Sequence, residues 1–543
     1  MTRDTDTPAV AALRTHEVTN QPQPRGGRDL WAEDRALRAY VGHFGGRTGE
    51  AAAAGAAYGA AELIEAAEEA RRDPPRLKAF GRSGHRLDEV HFNPGYHAVM
   101  GAAQRLGYAH CAWDGQPGGH VTHAAHVYML NQVEPGVCCP MTMTYAAVPA
   151  LRHDAALSAE WLPKLTSADY DPSIRPVAQK RGATLGMAMT EKQGGSDVRA
   201  NTTRAVRDGD HYRLRGHKWF CSAPMSDGFL TLAYADGGLT CFLVPRWLED
   251  GRNAIRLMRL KDKLGNRANA SAEIEYEDAL AYRLGEEGAG VRTIIEMVHH
   301  TRLDTALAPA GLMRAALTEA FWWVEGRSAF QKRLIDQPLM RAVLADLALD
   351  AEGALAAGMA MAAAFDREDA GSRALARIGV ALAKYLGNKR CIPVIGEAME
   401  VLGGMGYIEE TPMPMLYREA PLNGIWEGSG NVICLDILRT LAREPRAGAA
   451  LNALLDGARA SDKRYDAALT AHRARWPALP PEAEARWFVE SLATLMSAAC
   501  LIEAAPVPVA DGFISSRVEG ARGSLPGSVA GLDVEGILAR FVG

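Results

Sequence analysis

The chain has 543 residues, a formal net charge of −5, and 48% hydrophobic and 23% charged residues. This length exceeds what one hydrophobic core organises, so we expect several domains. The mild negative charge argues against a protein covered all over in nucleic-acid-binding charge, although it leaves room for a local basic patch. No uninterrupted apolar segment reaches the length needed to cross a bilayer.

The N-terminal residues and the cysteines indicate a cytoplasmic protein. Asp4, Asp6 and Glu17 give the N-terminus an acidic content that fits neither a signal peptide nor a transit peptide. The eight cysteines show no CxxC spacing and no companion histidine cluster. We therefore expect reduced, mostly buried thiols and no metal site.

The period of the hydrophobic pattern changes along the chain. After an arm of about 45 residues with little periodicity, residues 46–165 place apolar side chains at helical spacing. Between about 180 and 285 the pattern changes to alternation and short apolar runs, such as residues 229–234, separated by Gly and Asp. This change predicts a β domain after a helical first third.

Helical patterns return after the β domain. Gly403–Gly404 would end the helix predicted at residues 372–402, because a helix C-terminus favours residues that tolerate positive φ. The final hundred residues continue with helical patterns to about Ala504 and then a tail that contains Pro and Gly. The three predicted long helices span residues 291–324, 337–366 and 372–402.

Glu427 lies between Trp426 and a run of small residues. That sequence predicts a tight turn that exposes a carboxylate beside backbone amides, close enough to hold a phosphate or a ring oxygen. A glutamate in a glycine-rich loop is by itself most often ordinary surface chemistry. The segment Met-Thr-Glu-Lys-Gln-Gly-Gly-Ser-Asp at residues 189–197 changes this interpretation. Together the two segments resemble the flavin-binding and catalytic signatures of the acyl-CoA dehydrogenase family.

The resemblance covers residues 50–442 and implies a mainly α fold with a central β domain. In that fold a helical domain, a β-barrel domain and a helical bundle follow one another, and here a C-terminal helical domain is added. The expected regions are the N-terminal arm and helical domain at 1–179, the β domain at 180–285, the bundle with the flavin and catalytic loop at 286–442, and the C-terminal domain at 443–543.

The family's flavin signatures match in two segments of the β domain. Thr190 and Ser196 match hydroxyls that contact the isoalloxazine and pyrophosphate, although Lys192 replaces the family's Pro. A polar turn before a strand would also explain this segment. Phe220 and Ser222 match the aromatic and hydroxyl residues placed against the flavin, while core packing alone would explain the aromatics.

Two further signatures lie in the helical bundle, each with one departure. Arg327 and Gln337 match the family's Arg-x-x-Phe…Gln segment, which reaches the adenylate end of a flavin in the adjoining subunit, but Gln331 replaces a Gly. The Gly403–Gly404 segment matches a second motif in which Glu400 replaces Gln. A carboxylate near the dinucleotide would need its own partner.

The resemblance thus implies FAD as the cofactor, because a flavin carries out the redox chemistry while the protein supplies orientation and electrostatics. The positions that match its contacts are Met187, Met189, Thr190, Gly195, Ser196, Cys221, Ser222, Ala223, Arg327, Gln337, Gly403, Gly404, Ile425, Trp426, Gly428, Ser429 and Asn431.

Glu427 matches the family's catalytic base. In the family reaction this base removes a proton α to a thioester carbonyl while the β hydrogen leaves as hydride to the flavin, which favours a desolvated carboxylate with a raised pKa. Trp426 stands where the family usually has Tyr and makes a bulkier gate. Some members place the base on the long helix, but the matching position here is Thr301.

The exact residues in these motifs and the presence of an extra C-terminal region resemble those of proteins in the alkylation-response branch of the family. That resemblance implies a homotetramer, a C-terminal domain that binds double-stranded DNA, weak isovaleryl-CoA dehydrogenase activity, and a role in protecting DNA or destroying alkylating agents. Residues 444–543 carry ten Lys and Arg against twelve Asp and Glu, so only a local basic face could bind DNA. The basic residues that define this face are Arg439, Arg443, Arg446, Lys463 and Arg464.

Two functions from different classes stay open at this point. One is a redox enzyme that acts on branched or short acyl-CoAs, or on another small molecule, without a DNA role. The other is a flavin-stabilised DNA-binding protein in which turnover is incidental. The bulky Trp426 favours the second function, and the intact Glu427 favours the first.

Overall fold

The structure, a computed structural model, describes residues 15–23 and 25–541. Residues 1–14 and 24 of the predicted N-terminal arm and residues 542–543 of the predicted tail lie outside the described residues. The chain forms two compact units. We call Glu65–Asp304 the β unit, and the chain up to Ile64 together with the chain from Thr305 onward the helical unit.

The secondary-structure elements are numbered in chain order. The α-helices of the described residues are α1 (Arg35–His43), α2 (Thr48–Tyr58), α3 (Ala61–Arg72), α4 (Pro94–Leu106), α5 (Gly119–Leu130), α6 (Pro135–Leu151), α7 (Ala155–Leu165), α8 (Gly290–Gly326), α9 (Pro338–Phe365), α10 (Ala370–Val401), α11 (Met413–Glu419), α12 (Gly430–Arg443), α13 (Pro445–Gly457), α14 (Lys463–Arg475), α15 (Ala485–Ala504), α16 (Val507–Phe513) and α17 (Val534–Leu538). The strands are β1 (Arg76–Phe80), β2 (Arg86–His91), β3 (Leu185–Ala188), β4 (Arg204–Asp208), β5 (His211–Ser222), β6 (Gly228–Ala235), β7 (Gly238–Pro245), β8 (Trp247–Leu248), β9 (Gly251–Arg252), β10 (Ile255–Leu260), β11 (Ser271–Leu284), β12 (Ser328–Ala329) and β13 (Lys332–Arg333).

The strands of the β unit close into a small barrel. β5, β4, β6, β7 and β11 pair in a ring, while β10 extends from β11 and β3 pairs in parallel with β6. Side chains alternate between the two faces of each strand, so one face fills a shared apolar core. Leu214, Phe229, Phe242 and Tyr276 are each at most 1% exposed in this core. The predicted β-barrel domain is confirmed.

The prediction of helix throughout residues 46–165 is wrong for one segment. β1 and β2 form an antiparallel hairpin in which Leu77 pairs with Val90. Val90 is 5% exposed and joins the barrel core. The alternating pattern of β2 is only six residues long, too short to be distinguished from the helical patterns around it. A second correction concerns the predicted arm, which contains α1 with Asp34 as its N-cap.

The three long helices predicted after the β domain correspond to α8, α9 and α10. Each observed boundary lies within two residues of the predicted one. Gly403 has a φ of +60° immediately after the C-cap of α10, which confirms the predicted role of glycine at this helix end. Helical periodicity over about 30 residues is strong enough to fix these elements from sequence.

Within the described residues, two helical segments, Pro338–Phe365 and Glu482–Ala504, are long and apolar enough to span a membrane by composition alone. Acids interrupt both segments, Asp350 and Glu352 in the first and Glu490 in the second, so neither is an uninterrupted apolar run. In the folded chain, 94% of the apolar window of Pro338–Phe365 and 67% of that of Glu482–Ala504 are buried inside the protein. Burial of this kind is typical of core helices.

The chain after residue 443 belongs to the same compact unit as the helical bundle. Two acids of α9, Asp346 and Glu352, are buried, and the Asp350 side chain is 9% exposed. All three receive arginines from the C-terminal segment. Arg517 binds Asp346 and lies 2.9 Å from Asp350, and Arg540 lies 2.8 Å from Glu352. These buried pairs join the region expected at 443–543 to the bundle expected at 286–442.

Replacing Arg517 with Met should therefore destabilise the protein strongly. The Arg517 side chain is 2% exposed, and removing one partner of a buried ion pair costs about 3–5 kcal/mol because the other charge stays buried. Arg473→Met is the matched control, since Arg473 is 36% exposed in its pair with Asp456 and such surface pairs contribute about 0–1 kcal/mol. Denaturant unfolding of both variants measures the difference. Equal losses would show that the α9 acids do not depend on Arg517.

Candidate functional site

One group of the residues matched to flavin contacts follows β3 in the β unit. Met187 lies on β3, and Met189 and Thr190 are half-buried just beyond its end. The Thr190 carbonyl accepts a 2.7 Å hydrogen bond from the backbone amide of Trp219. Gly195 lies so close to Thr190 that an added Cβ would be 2.3 Å from the Thr190 hydroxyl. A larger residue at position 195 would therefore have to displace the Thr190 side chain, so glycine lets this exposed turn pack closely against Thr190.

A buried ion pair anchors this turn, and sequence analysis did not find it. Glu191 and Lys218 have fully buried side chains, with 2.8 Å between Glu191 Oε1 and Lys218 Nζ. Thr202 and Thr203 donate further hydrogen bonds to the same carboxylate through their amides and hydroxyls. Burial alone would raise the pKa of Glu191, but Lys218 and these donors lower it to about 2. The carboxylate therefore ties residues 202 and 203 and β5 to the turn.

The last residues of β5 and Ala223, which follows the strand, differ in exposure. Phe220 is 47% exposed and Ser222 is half-buried, whereas Cys221 and Ala223 are at most 3% exposed and face inward. Ser222 Oγ lies 3.1 Å from Ser271 Oγ on the paired strand β11. Phe220 and Ser222 can therefore present side chains to a flavin, while Cys221 and Ala223 can contribute only backbone atoms.

A separate group of matched residues lies at the Glu427 turn in the helical unit. Glu427 and Gly428 both have positive φ, +56° and +105°, so the predicted tight turn is present. Trp426 Nε1 donates a 2.8 Å hydrogen bond to Asn423, and Lys384 Nζ donates a 2.8 Å bond to the Gly428 carbonyl. A non-glycine residue in this left-handed conformation is strained, and such strain is concentrated at functional sites.

Three other matched positions surround this turn. Ile425 is 63% exposed, which is unusual for an isoleucine. Ser429 is the N-cap residue of α12, and Asn431 is exposed in the first turn of that helix. A helix N-terminus presents free amides to an anionic group.

The Arg327 segment forms a hairpin of β12 and β13. Arg327 donates a 2.8 Å hydrogen bond to the Asn20 carbonyl, and Gln337 donates a 3.1 Å bond to Ala329. Phe330 at the tip is 94% exposed. Gln331, which replaces the family's Gly, still has a φ of +64°, so the glycine-type backbone persists despite the substitution.

The structure shows the environments of Glu400, the acid expected to need a partner, and of Thr301, the position matching the alternative base. Glu400 is exposed, so water solvates its carboxylate and it needs no protein partner. Thr301 on α8 is 1% exposed and donates its hydroxyl to the Val298 carbonyl at 3.0 Å. A threonine hydroxyl used in this way cannot serve as a base, which leaves Glu427 as the candidate.

The predicted DNA-binding residues differ in how their charges are paired. Arg439 and Arg443 are exposed on α12, Arg446 is exposed at the start of α13, and Lys463 is exposed at the start of α14. Arg464 instead lies 2.6 Å from Asp462 and 2.5 Å from Asp511. Its charge is therefore largely compensated within the protein.

The matched flavin positions thus form two groups. Met187, Met189, Thr190, Gly195, Ser196 and the 221–223 segment lie in the β unit, and the remaining ones lie in the helical unit. Among the described residues there is no cluster of acids, histidines and cysteines that could hold a metal ion. The exposed glycine turn, the outward hydroxyl of Ser222 and the exposed aromatic Phe220 fit the needs of a flavin for hydrogen-bond donors and an apolar face.

Family models match most of the chain. Residues 20–172 match the adaptive response protein AidB N-terminal domain, residues 186–279 the acyl-CoA dehydrogenase middle domain, and residues 288–442 the acyl-CoA dehydrogenase C-terminal domain. The chain is 46% identical over 465 residues to the AidB protein of Escherichia coli (strain K12), which covers 84% of this chain and 86% of that protein. The chain belongs to the AidB branch of the acyl-CoA dehydrogenase family. It is therefore an oxidoreductase of the acyl-CoA dehydrogenase type, and FAD is its cofactor.

Solved structures show the same fold over nearly the whole chain. The apo form of Bd2924 aligns with a TM-score of 0.82 at 28% identity and covers 90% of this chain and 100% of that chain. Caenorhabditis elegans ACDH-11, crystallised with C11-CoA, aligns with a TM-score of 0.81 at 25% identity and covers 98% of this chain and 93% of that chain. The acyl-CoA dehydrogenase fold with added C-terminal helices is thereby confirmed.

Replacing Glu191 with Gln should destabilise the protein in a pH-dependent way. The pKa of Glu191 is about 2 in the folded chain and about 4.3 in an unfolded chain, so its stabilisation is complete above about pH 4.3 and disappears as the pH falls towards 2. The variant should lose about 3–5 kcal/mol at neutral pH, and the difference from the unsubstituted protein should shrink below that range. Urea unfolding at several pH values measures this difference.

Asp278→Asn serves as the control for this measurement. Asp278 pairs with Arg215 on the same sheet but is 54% exposed, so its loss should be small at every pH. A Glu191→Gln variant that matched Asp278→Asn at neutral pH would contradict the anchoring role of the Glu191–Lys218 pair.

Proposed function

We propose that this protein acts in the alkylation response, where it binds double-stranded DNA and either protects the DNA or destroys alkylating agents. It also retains weak dehydrogenase activity on isovaleryl-CoA. The exposed arginines of α12 and α13 support the DNA role, and the strained Glu427 turn supports the chemistry. The alternative is an ordinary FAD-dependent dehydrogenase of short or branched acyl-CoAs without a DNA role.

Glu427 is the proposed base. Its carboxylate would take the proton α to the thioester carbonyl, and the Cα–Cβ bond would become a double bond as the β hydrogen leaves with its electron pair. Bound FAD supplies the hydride acceptor for that hydrogen. The chain itself holds the base: Lys384 binds the Gly428 carbonyl at 2.8 Å, and Asn423 holds the Trp426 indole at 2.8 Å. This fixed geometry lowers the cost of positioning the base against the substrate.

One observation supports an acyl-CoA substrate, and a second supports a short or branched acyl group. Caenorhabditis elegans ACDH-11, which shares this fold, was solved in complex with an acyl-CoA, C11-CoA. In this chain an indole side chain at position 426, fixed by Asn423, occupies the place beside the base. A bulkier and fixed side chain leaves less room for an extended acyl group.

The DNA role is supported by a local stripe of positive charge. Arg439 and Arg443 are one helical turn apart on α12, and Arg446 follows at the start of α13. All three are exposed, and none forms an ion pair with an acid among the residues that the structure describes. Arginines free of internal carboxylates can neutralise phosphates and release counterions. Such contacts bind duplex DNA with little sequence preference.

A homotetramer is supported by exposed apolar side chains in the segments that the family resemblance assigns to subunit and cofactor contacts. Phe330 is 94% exposed, Tyr407 82% and Leu339 77%. Large apolar side chains at this exposure commonly mark protein interfaces. An assembly of four copies would present four arginine stripes to one duplex and add to its affinity through multivalency.

A cytoplasmic location is supported by the cysteines. Within the described ranges, six buried cysteines are free thiols, namely Cys138, Cys221, Cys241, Cys391, Cys434 and Cys500. Free cysteines are typical of proteins in reducing compartments.

Replacing Glu427 with Gln should abolish flavin reduction by acyl-CoA while FAD stays bound. The amide keeps the shape of the side chain but cannot accept the α proton. Anaerobic titration with isovaleryl-CoA and butyryl-CoA, followed by flavin absorbance, measures the loss. Glu400→Gln is the control, because Glu400 is exposed and solvated. Full flavin reduction in the Glu427→Gln variant would place the base elsewhere.

Replacing Arg439, Arg443 and Arg446 together with Gln should weaken binding to a random-sequence duplex. The slope of log affinity against log salt should fall by about 0.9 for each lost phosphate contact, or about 2–3 for one engaged stripe. Binding measured by fluorescence anisotropy at several salt concentrations tests this. Deleting the C-terminal region would be a poor test, since it removes the arginines that pair with Asp346, Asp350 and Glu352.

The matched control neutralises three arginines that already have internal partners, Arg459, Arg464 and Arg473. This variant loses the same formal charge but should keep its salt slope. If both triple variants bind DNA like the unsubstituted protein, or if the unsubstituted protein does not bind DNA at low salt, the DNA role fails and the alternative enzyme function is favoured.

A further inference from the structure

A cavity of about 420 Å³ lies within the β unit. It is lined by the end of β2, the first half of α4, the loop at residues 170–174 and the turn that follows β5. Among the residues matched to FAD contacts, Ala223 is the one that lines it, and Ala223 faces inward, opposite to Phe220 and Ser222. The cavity is therefore distinct from the surface that those two side chains present. Its volume is within the range of about 300–1,000 Å³ typical of small-molecule sites.

The walls of this cavity are rich in aromatic and thioether side chains. Phe92 and Tyr96 stack with their ring centroids 4.1 Å apart. His97 Nδ1 and the Tyr170 hydroxyl are hydrogen-bonded at 2.7 Å, which fixes the loop at 170–174 against α4. Met100 and Met225 add polarisable surface to the same walls. Such walls favour a flat, aromatic ligand.

The charges of the lining residues leave an excess of negative charge. Lys180 and Asp227 form a buried pair at 2.5 Å, and Thr184 donates its amide to the same carboxylate. Glu89 is bridged by Arg252, which lies just outside the lining. Asp171 has no Lys or Arg within salt-bridge distance in the part of the chain that the structure describes. A net negative lining attracts cations and repels anions.

Asp171 stays ionised because its own loop stabilises the carboxylate. Ser173 donates its amide and hydroxyl, and Arg181 donates its amide. Burial alone would raise the pKa of Asp171, but these hydrogen bonds, together with a smaller effect of the Lys180 charge, lower it to about 2. Ser226 adds a buried hydroxyl at the same wall that has no hydrogen-bond partner among the described residues. An unsatisfied buried hydroxyl is costly unless a ligand or water reaches it.

We propose that this cavity is a binding site for a small, flat aromatic cation. The ring of the ligand packs against the Phe92–Tyr96 wall, where a positive charge also gains from the aromatic faces. The cationic group lies towards Asp171, and Ser226 can take one hydrogen bond. Lys180 and Asp227 also line the cavity, and because their charges compensate each other the pair does not attract an anion. This site is independent of the proposed acyl-CoA and DNA functions.

Calorimetric titration of the full-length FAD-loaded protein with benzamidine and with benzoate tests the proposal. The two probes have the same planar size and opposite charge. Benzamidine should bind at one site per chain and at least about tenfold more tightly than benzoate. Near a protein surface, the Asp171 carboxylate attracts a cation about 4 Å away and repels an anion at the same distance, and these two interaction energies differ by more than the about 1.4 kcal/mol that a tenfold affinity ratio requires. Absence of saturable benzamidine binding, or tighter binding of benzoate, would overturn the proposal.

Two substitutions locate the binding in this cavity. Ile174 lines it and is 46% exposed at its rim, and Met258 is equally exposed but does not line it. Ile174→Trp should weaken benzamidine binding at least about tenfold by filling the entrance, as a bulky side chain displaces the ligand, whereas Met258→Trp should leave it unchanged. Equal effects of the two would show that benzamidine binds elsewhere.

A third variant, Asp171→Asn, tests the source of the selectivity. It keeps the size of the side chain and should reduce the benzamidine-to-benzoate affinity ratio at least about fivefold, since the attracting charge is removed. An unchanged ratio would overturn the assignment of the cationic group to Asp171.

Discussion

The buried ion pair between Glu191 and Lys218 is the interaction on which the matched flavin residues of the β unit depend. The carboxylate accepts hydrogen bonds from Lys218 on β5 and from Thr202 and Thr203. Two charges removed from water are stable only when every lone pair and proton finds a partner. The turn at 190–197 is therefore held in one position relative to β5, and its exposed amides lie beside the strand that carries Phe220 and Ser222.

The helical unit also contains acids compensated by arginines that are distant in sequence, and more than one such pair is present. Asp346 and Glu352 on α9 are buried and Asp350 is only 9% exposed, and Arg517 and Arg540 from the C-terminal segment compensate them. The C-terminal region is consequently part of the bundle's own electrostatics and not an appended module. This arrangement separates arginines with a structural role from exposed ones such as Arg439 and Arg443, which carry the proposed DNA contacts.

The Glu427 turn shows how the fold holds a residue in an unfavourable conformation. A glutamate at a φ of +56° costs about 1–2 kcal/mol relative to an ordinary conformation. The hydrogen bond from Lys384 to the Gly428 carbonyl and the bond between Trp426 and Asn423 keep the turn in place. Strain of this kind persists when the surrounding structure determines the backbone. The same turn in isolation would relax, and the carboxylate would lose its fixed direction.

The sequence by itself determined the long helices, the β domain, the tight turn at Glu427 and the positive φ of Gly403, because periodicity and glycine placement act over short distances. It also supported the family assignment through local motifs. Only the tertiary structure decided that Glu191 pairs with Lys218, that Arg464 is compensated while Arg439 is not, and that residues 89–97, 170–174 and 223–227 enclose one cavity. Each of these depends on which distant side chains share a buried environment, and a linear pattern of residues does not encode that proximity.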